Sequence, residues 1–139
     1  MNPSEYEILT LLPQRPPFIL IDKMVMCDVK ETVTEFTVTE DCLLSDEGVL
    51  QPWGMMENIA QTCAARIGYL SLAKGGEVKL GVIGAVTDMK IEAMARTGER
   101  IETRIKVEEE VLNLTLISAE IRRGEETLAT AKMKIALLN

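Results

Sequence analysis

Two side chains one helical turn apart are the residues of this sequence whose types and spacing could do chemistry. Glu57 and Gln61 lie in the stretch MMENIAQTCAARIGYL, whose other residues are mostly apolar or small. A carboxylate in such surroundings can act as a general acid, a general base or a nucleophile. Acidic residues are also favoured near helix starts, by ~0.3–1 kcal/mol, so a structural role for Glu57 stays open. Gln61 could orient Glu57 or hydrogen-bond a strand.

The chain contains no histidine, and this restricts its chemistry more than any other feature of its composition. A mechanism that needs a histidine acid, base or metal ligand cannot be completed by this chain alone. The three cysteines, Cys27, Cys42 and Cys63, form neither a CxxC nor a zinc-binding pattern. We therefore expect no metal and no cofactor.

Length and charge exclude several classes of protein. The 139 residues, 47% of them hydrophobic, predict one domain over residues 1–139. The 22 acidic and 15 basic residues give a net charge of −7, which disfavours nucleic acid as a partner. No window approaches the ~18 apolar residues of a membrane helix, and the first residues do not resemble a secretion signal. A cytoplasmic protein without membrane contact is the expectation.

The first half of the chain predicts two helices and two strands. Residues 4–12 read as a short helix capped by Ser4, and prolines follow it. Residues 18–26 and 32–39 are rich in β-branched and aromatic residues and predict strands. Residues 55–74 predict one long helix, ended by a glycine pair. Because nearly all faces of this helix are apolar or small, we expect protein to surround it.

Strand signals alone follow the long helix. Residues 78–92 fit either a strand pair or one long bent strand. Alternation predicts three more strands, through Ile101, Thr103, Ile105 and Val107, through Leu112, Leu114 and Leu116, and through Ala129, Ala131, Met133, Ile135 and Leu137. Asn113 is expected in a strand, so turns are expected near Glu109-Glu110 and at Gly124. The sequence therefore predicts an α+β fold, in which a curved antiparallel sheet of about five or six strands wraps one helix.

Several motifs resemble one known family. The segments LLPQRPPFILIDKM, MMENIAQ and ARTGERIETRIKV resemble, in order and spacing, the signatures of small hotdog-fold 3-hydroxyacyl-acyl carrier protein dehydratases. The segment SDEGVLQPWGMMENIAQTCAA is similar to a divergent dehydratase-like branch associated with aryl-polyene-type lipid pathways. The resemblance implies a hotdog fold, an acyl thioester on acyl carrier protein or coenzyme A as ligand, and a dimer whose sites draw residues from both chains.

The resemblance also assigns roles to single residues. Glu57 matches the catalytic glutamate and Gln61 the glutamine that follows it, while Gln14 stands where the family usually has a histidine. The family's Gly-His-Phe-Pro-Gly loop, with the catalytic histidine, has no counterpart here. Trp53 and Gly54 occupy the region whose backbone N–H groups hold the thioester carbonyl in the family. The expected site is thus a dehydratase site without its histidine.

The neighbouring residues allow two interpretations each. Trp53 could close an acyl tunnel, or pack as a staple or at an interface, and Met56 could line an acyl pocket or fill the core. Gln14 could contact substrate or support its proline-held turn. A sequence cluster of cations could bind an acidic carrier protein or coenzyme A phosphates, or only solvate a strand edge; its members are Lys79, Lys90, Arg96 and Arg100.

Three functions remain open at this point. The first is a partner-dependent dehydratase subunit that forms a heterodimer with a histidine-bearing hotdog homologue. The second is a thioesterase that uses Glu57 without a histidine. The third is a non-catalytic acyl-binding subunit, since binding needs only an apolar lining and a few polar contacts. A homodimer or a heterodimer is expected in solution.

Overall fold

The structure, a computed structural model, describes residues 3–5, 7–75 and 81–137. A 3₁₀ turn at Pro3–Glu5 comes first. The helices are α1 (Ile8–Leu11) and α2 (Pro52–Ala73). The strands are β1 (Lys23–Cys27), β2 (Glu31–Thr37), β3 (Ser45–Asp46), β4 (Val49–Leu50), β5 (Gly81–Ile91), β6 (Arg100–Val111), β7 (Leu114–Arg123) and β8 (Glu126–Leu137).

Six of the strands form one antiparallel sheet in the order β1-β2-β6-β7-β8-β5. The strands β3 and β4 pair with each other in a small hairpin just before α2, and Val49 of β4 forms an isolated bridge to Arg96. In the centre of the large sheet, β2 and β6 place Thr34 opposite Thr103. The predicted α+β fold, with one long helix and a six-stranded antiparallel sheet, is confirmed.

The helix α2 is packed on two sides. One face buries Met55, Ile59 and Cys63 in the core that it shares with the sheet. A second face packs Ala65 against Leu11 and its neighbours in a smaller cluster. Contact on this side is so close that a Cβ on Gly68 would lie 2.4 Å from the Leu11 carbonyl oxygen. Glycine is therefore needed at residue 68 for α1 to reach α2.

The predictions for the first 26 residues are partly wrong. Ser4 lies in the 3₁₀ turn rather than at a helix cap, and α1 begins after Glu7, whose side chain makes no capping hydrogen bond. The strand predicted over residues 18–26 begins only at Lys23. The reason is that the backbone at Leu20 is hydrogen-bonded by side chains of α2 instead of by a strand.

The long helix begins at Pro52, three residues before its predicted start. Proline suits the first helical position because its missing N–H would have no acceptor there. Glu57 is consequently the sixth helical residue, at the beginning of the second turn and next to the first. The expectation of a helix surrounded by protein holds on its two packed faces but not at Met56, which is 37% exposed. Gly75, with a φ of +75°, ends the helix as predicted; Gly76 lies outside the described residues.

The β6–β7 hairpin turns at Leu112-Asn113 and not near Glu109-Glu110 as predicted. Leu112 takes a φ of +58°, a conformation that turn glycines adopt easily and leucine does not. Asn113, a residue type common in turns, lies in this turn and not in a strand as predicted. The predicted inward set Leu112, Leu114 and Leu116 is wrong as well. The buried residues of β7 have the opposite parity: Ile117, Ala119 and Ile121. A register shift between Val107 and Glu109 accompanies the change.

The remaining strands follow their sequence patterns. Residues 81–91 form the single bent strand β5, with register shifts at two places, which decides between the two predicted alternatives; residues 78–80 lie outside the described range. The inward alternation of β6 and β8 is confirmed at its buried positions, which are Ile101, Thr103, Ile105, Ala129, Ala131, Met133 and Ile135. Gly124 forms the predicted turn. In the described part of the chain, no helix has the length and apolar content to cross a bilayer.

We expect Leu112→Gly to stabilise the protein by about 1 kcal/mol, because glycine relieves the positive φ and the leucine side chain is 100% exposed. The free energy of unfolding from urea denaturation measures the effect. Leu114→Gly, the same change two residues on in β7, is the control and should destabilise the sheet. A loss of stability in Leu112→Gly as large as that in the control would contradict the assignment of the turn.

Candidate functional site

Glu57 lies in the second turn of α2, half-buried, and its carboxylate is held by a neighbour on the same helix. The side-chain amide of Gln61 donates a hydrogen bond from Nε2 to Glu57 Oε1 at 3.1 Å. Residues four apart share a helix face, so this pair also shares a face with Trp53. The bond to Oε1 leaves Oε2 as the oxygen available to a ligand.

Gln61 hydrogen-bonds both Glu57 and an extended segment of the backbone, the two contacts that the sequence left open. Its side chain is fully buried, with Nε2 donating to the Phe18 carbonyl at 2.7 Å and Oε1 accepting from the Leu20 N–H at 2.7 Å. The glutamine therefore supports an extended segment and contacts Glu57 with the same amide group. Its orientation is fixed by the backbone on one side and reaches the carboxylate on the other.

Asn58 is a site residue that the sequence analysis missed. Its Nδ2 donates to the Leu20 carbonyl at 2.8 Å, and its Oδ1 accepts from Thr103 Oγ1 at 2.5 Å. Asn58 is fully buried in the interior of an apolar helix. Asparagine is unfavourable in such a position, because its side chain competes for backbone hydrogen bonds. An asparagine among the apolar residues of a predicted helix was the sequence signal that could have identified Asn58.

The amino terminus of α2 presents backbone donors close to Glu57. The first intrahelical donor is the N–H of Met55, bonded to the Gln51 carbonyl at 3.0 Å, so the N–H groups of Trp53 and Gly54 precede it. Gly54 also has a packing role, because a Cβ there would lie 2.6 Å from Leu50 Cδ1. Two oriented donors at a helix start can stabilise a carbonyl oxygen that gains negative charge.

The surface around Glu57 is apolar and open. Trp53, one turn before Glu57, does not pack as a staple, and Met56 beside it is 37% exposed rather than part of the core. Phe18, whose carbonyl is bonded to Gln61, is 62% exposed. Large apolar side chains grouped on a surface mark a place for a ligand or another protein.

Gln14 and its neighbour Arg15 support the proline-rich turn. The Arg15 guanidinium donates to the carbonyls of Leu12 and Gln14, at 2.8 and 2.7 Å. The side-chain oxygen of Gln14 is buried without a hydrogen-bond donor among the described residues. Within that same part of the chain, no hydrogen bond links Gln14 to Glu57.

The cations that cluster in the sequence do not form one patch. Lys90 lies on β5 and Arg100 on β6, which are separated in the sheet by β7 and β8. Arg100 faces Glu35 at 4.0 Å, and Arg96 is in the loop before β6; Lys79 lies outside the described residues. Lys90 instead lines a groove of about 460 Å³ on the sheet, together with Arg104, Lys106, Lys132 and two carboxylates. This groove includes no residue of α2.

The cysteines are placed as structural residues. Burial raises the pKa of the Cys63 thiol to about 12, so it is neutral and unreactive at neutral pH. Burial also raises the pKa of Cys27, which accepts a hydrogen bond from Thr32 at 3.2 Å. Among residues 3–5, 7–75 and 81–137, no three Cys, Asp or Glu side chains lie close enough together to hold a metal ion.

One family model matches most of the chain. The ApeP-like family, described as ApeP dehydratase, matches residues 6–137. The 3-hydroxyacyl-[acyl-carrier-protein] dehydratase FabZ of Clostridioides difficile is 27% identical over 138 residues, which cover 95% of each chain.

Solved structures share the fold at lower identity. The dehydratase heterocomplex ApeI:P from Xenorhabdus doucetiae matches with a TM-score of 0.87 at 16% identity, over 96% of this chain and 92% of that chain. A hypothetical thioesterase from Streptococcus pneumoniae, solved with coenzyme A, matches with a TM-score of 0.68 at 9% identity over 84% of each chain. Because the family match extends over residues 6–137, this chain belongs to the ApeP-like dehydratase family of hotdog-fold proteins.

Proposed function

We propose that this chain is one subunit of a two-component 3-hydroxyacyl thioester dehydratase, and that a histidine-bearing hotdog partner completes its site. The observation that carries the proposal is the Glu57 carboxylate, held by Gln61 at an open apolar surface in a chain without histidine. Dehydration needs an acid and a base on the two sides of the substrate. Glu57 supplies one of these groups and the partner's histidine supplies the other.

The chemistry assigns a task to each group at the helix start. The N–H groups of Trp53 and Gly54 hold the thioester carbonyl, which makes the α-proton more acidic. The base removes that proton, the C–O bond to the β-hydroxyl breaks, and the acid protonates the hydroxyl so that it leaves as water. Glu57 acts through Oε2, since Oε1 accepts the bond from Gln61. The products are an enoyl thioester and water.

The apolar surface formed by Phe18, Trp53 and Met56 suits a partner subunit and an acyl chain. Burying side chains that are 62%, 57% and 37% exposed is favourable, at about 25 cal/mol per Å² of apolar area. The similarity to a dehydratase heterocomplex supports a heterodimer, and homodimerisation remains an outcome of the tests below.

The substrate class is an acyl thioester on acyl carrier protein or coenzyme A. The similar FabZ protein is named for the carrier protein, and the structurally similar thioesterase was solved with coenzyme A. Both carriers present the thioester in the same way, so the helix amides and Glu57 can serve either.

A thioesterase is the second candidate, and one observation favours it. The carboxylate of Glu57 can attack the thioester or activate water, and the amides of Trp53 and Gly54 can bind the thioester carbonyl. Neither task needs a histidine. In this reaction Glu57 activates water or attacks the thioester carbonyl, and the thiol of the carrier leaves. A homodimer of this chain would then be active alone.

Reconstitution separates the candidate functions. We expect no enoyl thioester from this chain alone, and dehydration once it is mixed with a histidine-bearing hotdog homologue, because only the mixture has both an acid and a base. Chromatography of the acyl thioesters, with thiol release followed in parallel, measures both reactions. Dehydration by the chain alone would contradict the proposal, thiol release by the chain alone would favour the thioesterase, and ligand binding without turnover in any mixture would favour an acyl-binding subunit.

The same mixtures report the state of association. We expect light scattering to give a dimer of this 15.4 kDa chain, with itself or with the partner, because the apolar surface beside Glu57 is exposed in the single chain. A mass that stays at 15.4 kDa at micromolar concentration, with and without the partner, would contradict this expectation.

Glu57→Gln should lower turnover by about 10²–10⁴-fold, the usual contribution of an acid–base group. The free energy of unfolding should change by less than about 1 kcal/mol, since glutamine can still accept the hydrogen bond from Gln61. Turnover and melting temperature are measured on the same preparations, with Glu40→Gln at an exposed position as the matched control. A Glu57→Gln protein with wild-type turnover would show that the carboxylate is only structural.

A further inference from the structure

A line of hydrogen bonds runs from the sheet through α2 to the carboxylate. Thr103 Oγ1 donates to Asn58 Oδ1 at 2.5 Å, and Asn58 Nδ2 donates to the Leu20 carbonyl at 2.8 Å. The N–H of the same Leu20 donates to Gln61 Oε1 at 2.7 Å, and Gln61 Nε2 donates to Glu57 Oε1 at 3.1 Å. The three polar side chains before the carboxylate are fully buried, so water does not compete for these bonds.

The backbone of Leu20 fixes the orientation of both amides. A carbonyl can only accept, so Asn58 must point its NH₂ group at the Leu20 carbonyl and its oxygen at the threonine. A backbone N–H can only donate, so Gln61 must point its oxygen at Leu20. The NH₂ group of Gln61 is thereby directed at Glu57. Reversing either amide would place two donors or two acceptors together.

We propose that Thr103 and Asn58 are positioning residues for Glu57, and that they act through the Leu20 peptide and Gln61. The proposal rests on the proposed function of Glu57. The hydroxyl of Thr103 holds the Asn58 amide in one rotamer, and that amide holds the Leu20 peptide. The peptide in turn sets the direction in which Gln61 donates, so a change on β6 reaches a carboxylate that Thr103 does not touch.

The hydrogen bonds that lead from Thr103 to Glu57 are called the relay, and the sheet supplies a matched control for it. Thr34 on β2 is the register partner of Thr103, and both threonines are fully buried against α2. The hydroxyl of Thr34 is bonded to Thr62 Oγ1 at 2.8 Å, and Thr62 donates to the backbone carbonyl of Asn58 at 2.9 Å. Thr34 therefore reaches the helix backbone but not the side-chain amide that leads to Glu57. Thr103→Val and Thr34→Val each remove one buried hydroxyl at nearly constant volume.

The first measurement needs no activity. In ¹⁵N-labelled protein, the side-chain NH₂ resonances of Gln61 are assigned by their loss in Gln61→Glu. We expect Thr103→Val to shift both proton resonances of this NH₂ group, and Thr34→Val to leave them in place, although both variants lose stability. Wild-type Gln61 resonances in Thr103→Val, or equal shifts in the two variants, would overturn the proposal.

The second measurement uses the assembled complex with the histidine-bearing partner. Thr103→Val should lower kcat by about tenfold with KM unchanged, less than the ~100-fold that a 1 Å misplacement of a reacting group can cost. Thr34→Val should keep the wild-type kcat. Shifted Gln61 resonances with an unchanged kcat would overturn the positioning role. If no assembly of the wild-type chain turns over acyl thioesters, the proposed function fails, and the Gln61 resonances alone decide whether the relay exists.

Discussion

The backbone from Phe18 to Leu20 makes its hydrogen bonds to side chains of α2, and the arrangement of the site depends on this. Gln61 accepts from Leu20 N–H and donates to the Phe18 carbonyl, while Asn58 donates to the Leu20 carbonyl. A buried backbone group left without a partner costs about 1–3 kcal/mol, so two amides in an apolar helix stabilise the fold. The same Gln61 amide then contacts Glu57, which joins the fold and the site in one set of bonds.

A second constraint is the composition of the site. The helix start provides a carboxylate and two backbone donors, and the chain has no histidine to complete an acid–base pair. Phe18 and Trp53 expose most of their side chains and Glu57 is half-buried, which fits the proposed partner subunit. A subunit that keeps its glutamate, its helix amides and its apolar surface, but lacks the second reacting group, fits a shared site better than a degraded one.

The sequence predicted the elements whose patterns are periodic and the residues that match a family motif. The long helix, the alternation in β6 and β8, and the neighbourhood of Glu57 and Gln61 follow from local spacing. Leu112 gave no sign of its turn, because leucine rarely adopts a positive φ. The inward residues of β7 alternate with polar residues from Ser118 onward, so the sequence did contain this pattern, and the prediction followed the leucines before it instead.

The role of Asn58 could not be predicted for a related reason. Its partners, Leu20 and Thr103, are 38 and 45 residues away in the chain, so no local pattern indicates the bonds. Similarly, Trp53 and Met56 look like core residues in the sequence, and only the packed structure shows that the face they share is open. Several of the failed predictions concerned long-range contacts, and these contacts hold the residues around Glu57.

Glu57 and a partner's histidine are proposed to form one site, and a double-mutant cycle tests this most directly. The complex is assembled in four forms: wild type, Glu57→Gln with intact partner, wild-type chain with a partner lacking its histidine, and both changes together. Dehydration rates are measured for each under saturating substrate. If the two groups act in one site, each single change should abolish most of the activity, and the double change should add little to the loss. A complex that keeps the wild-type rate with Glu57→Gln would contradict the account.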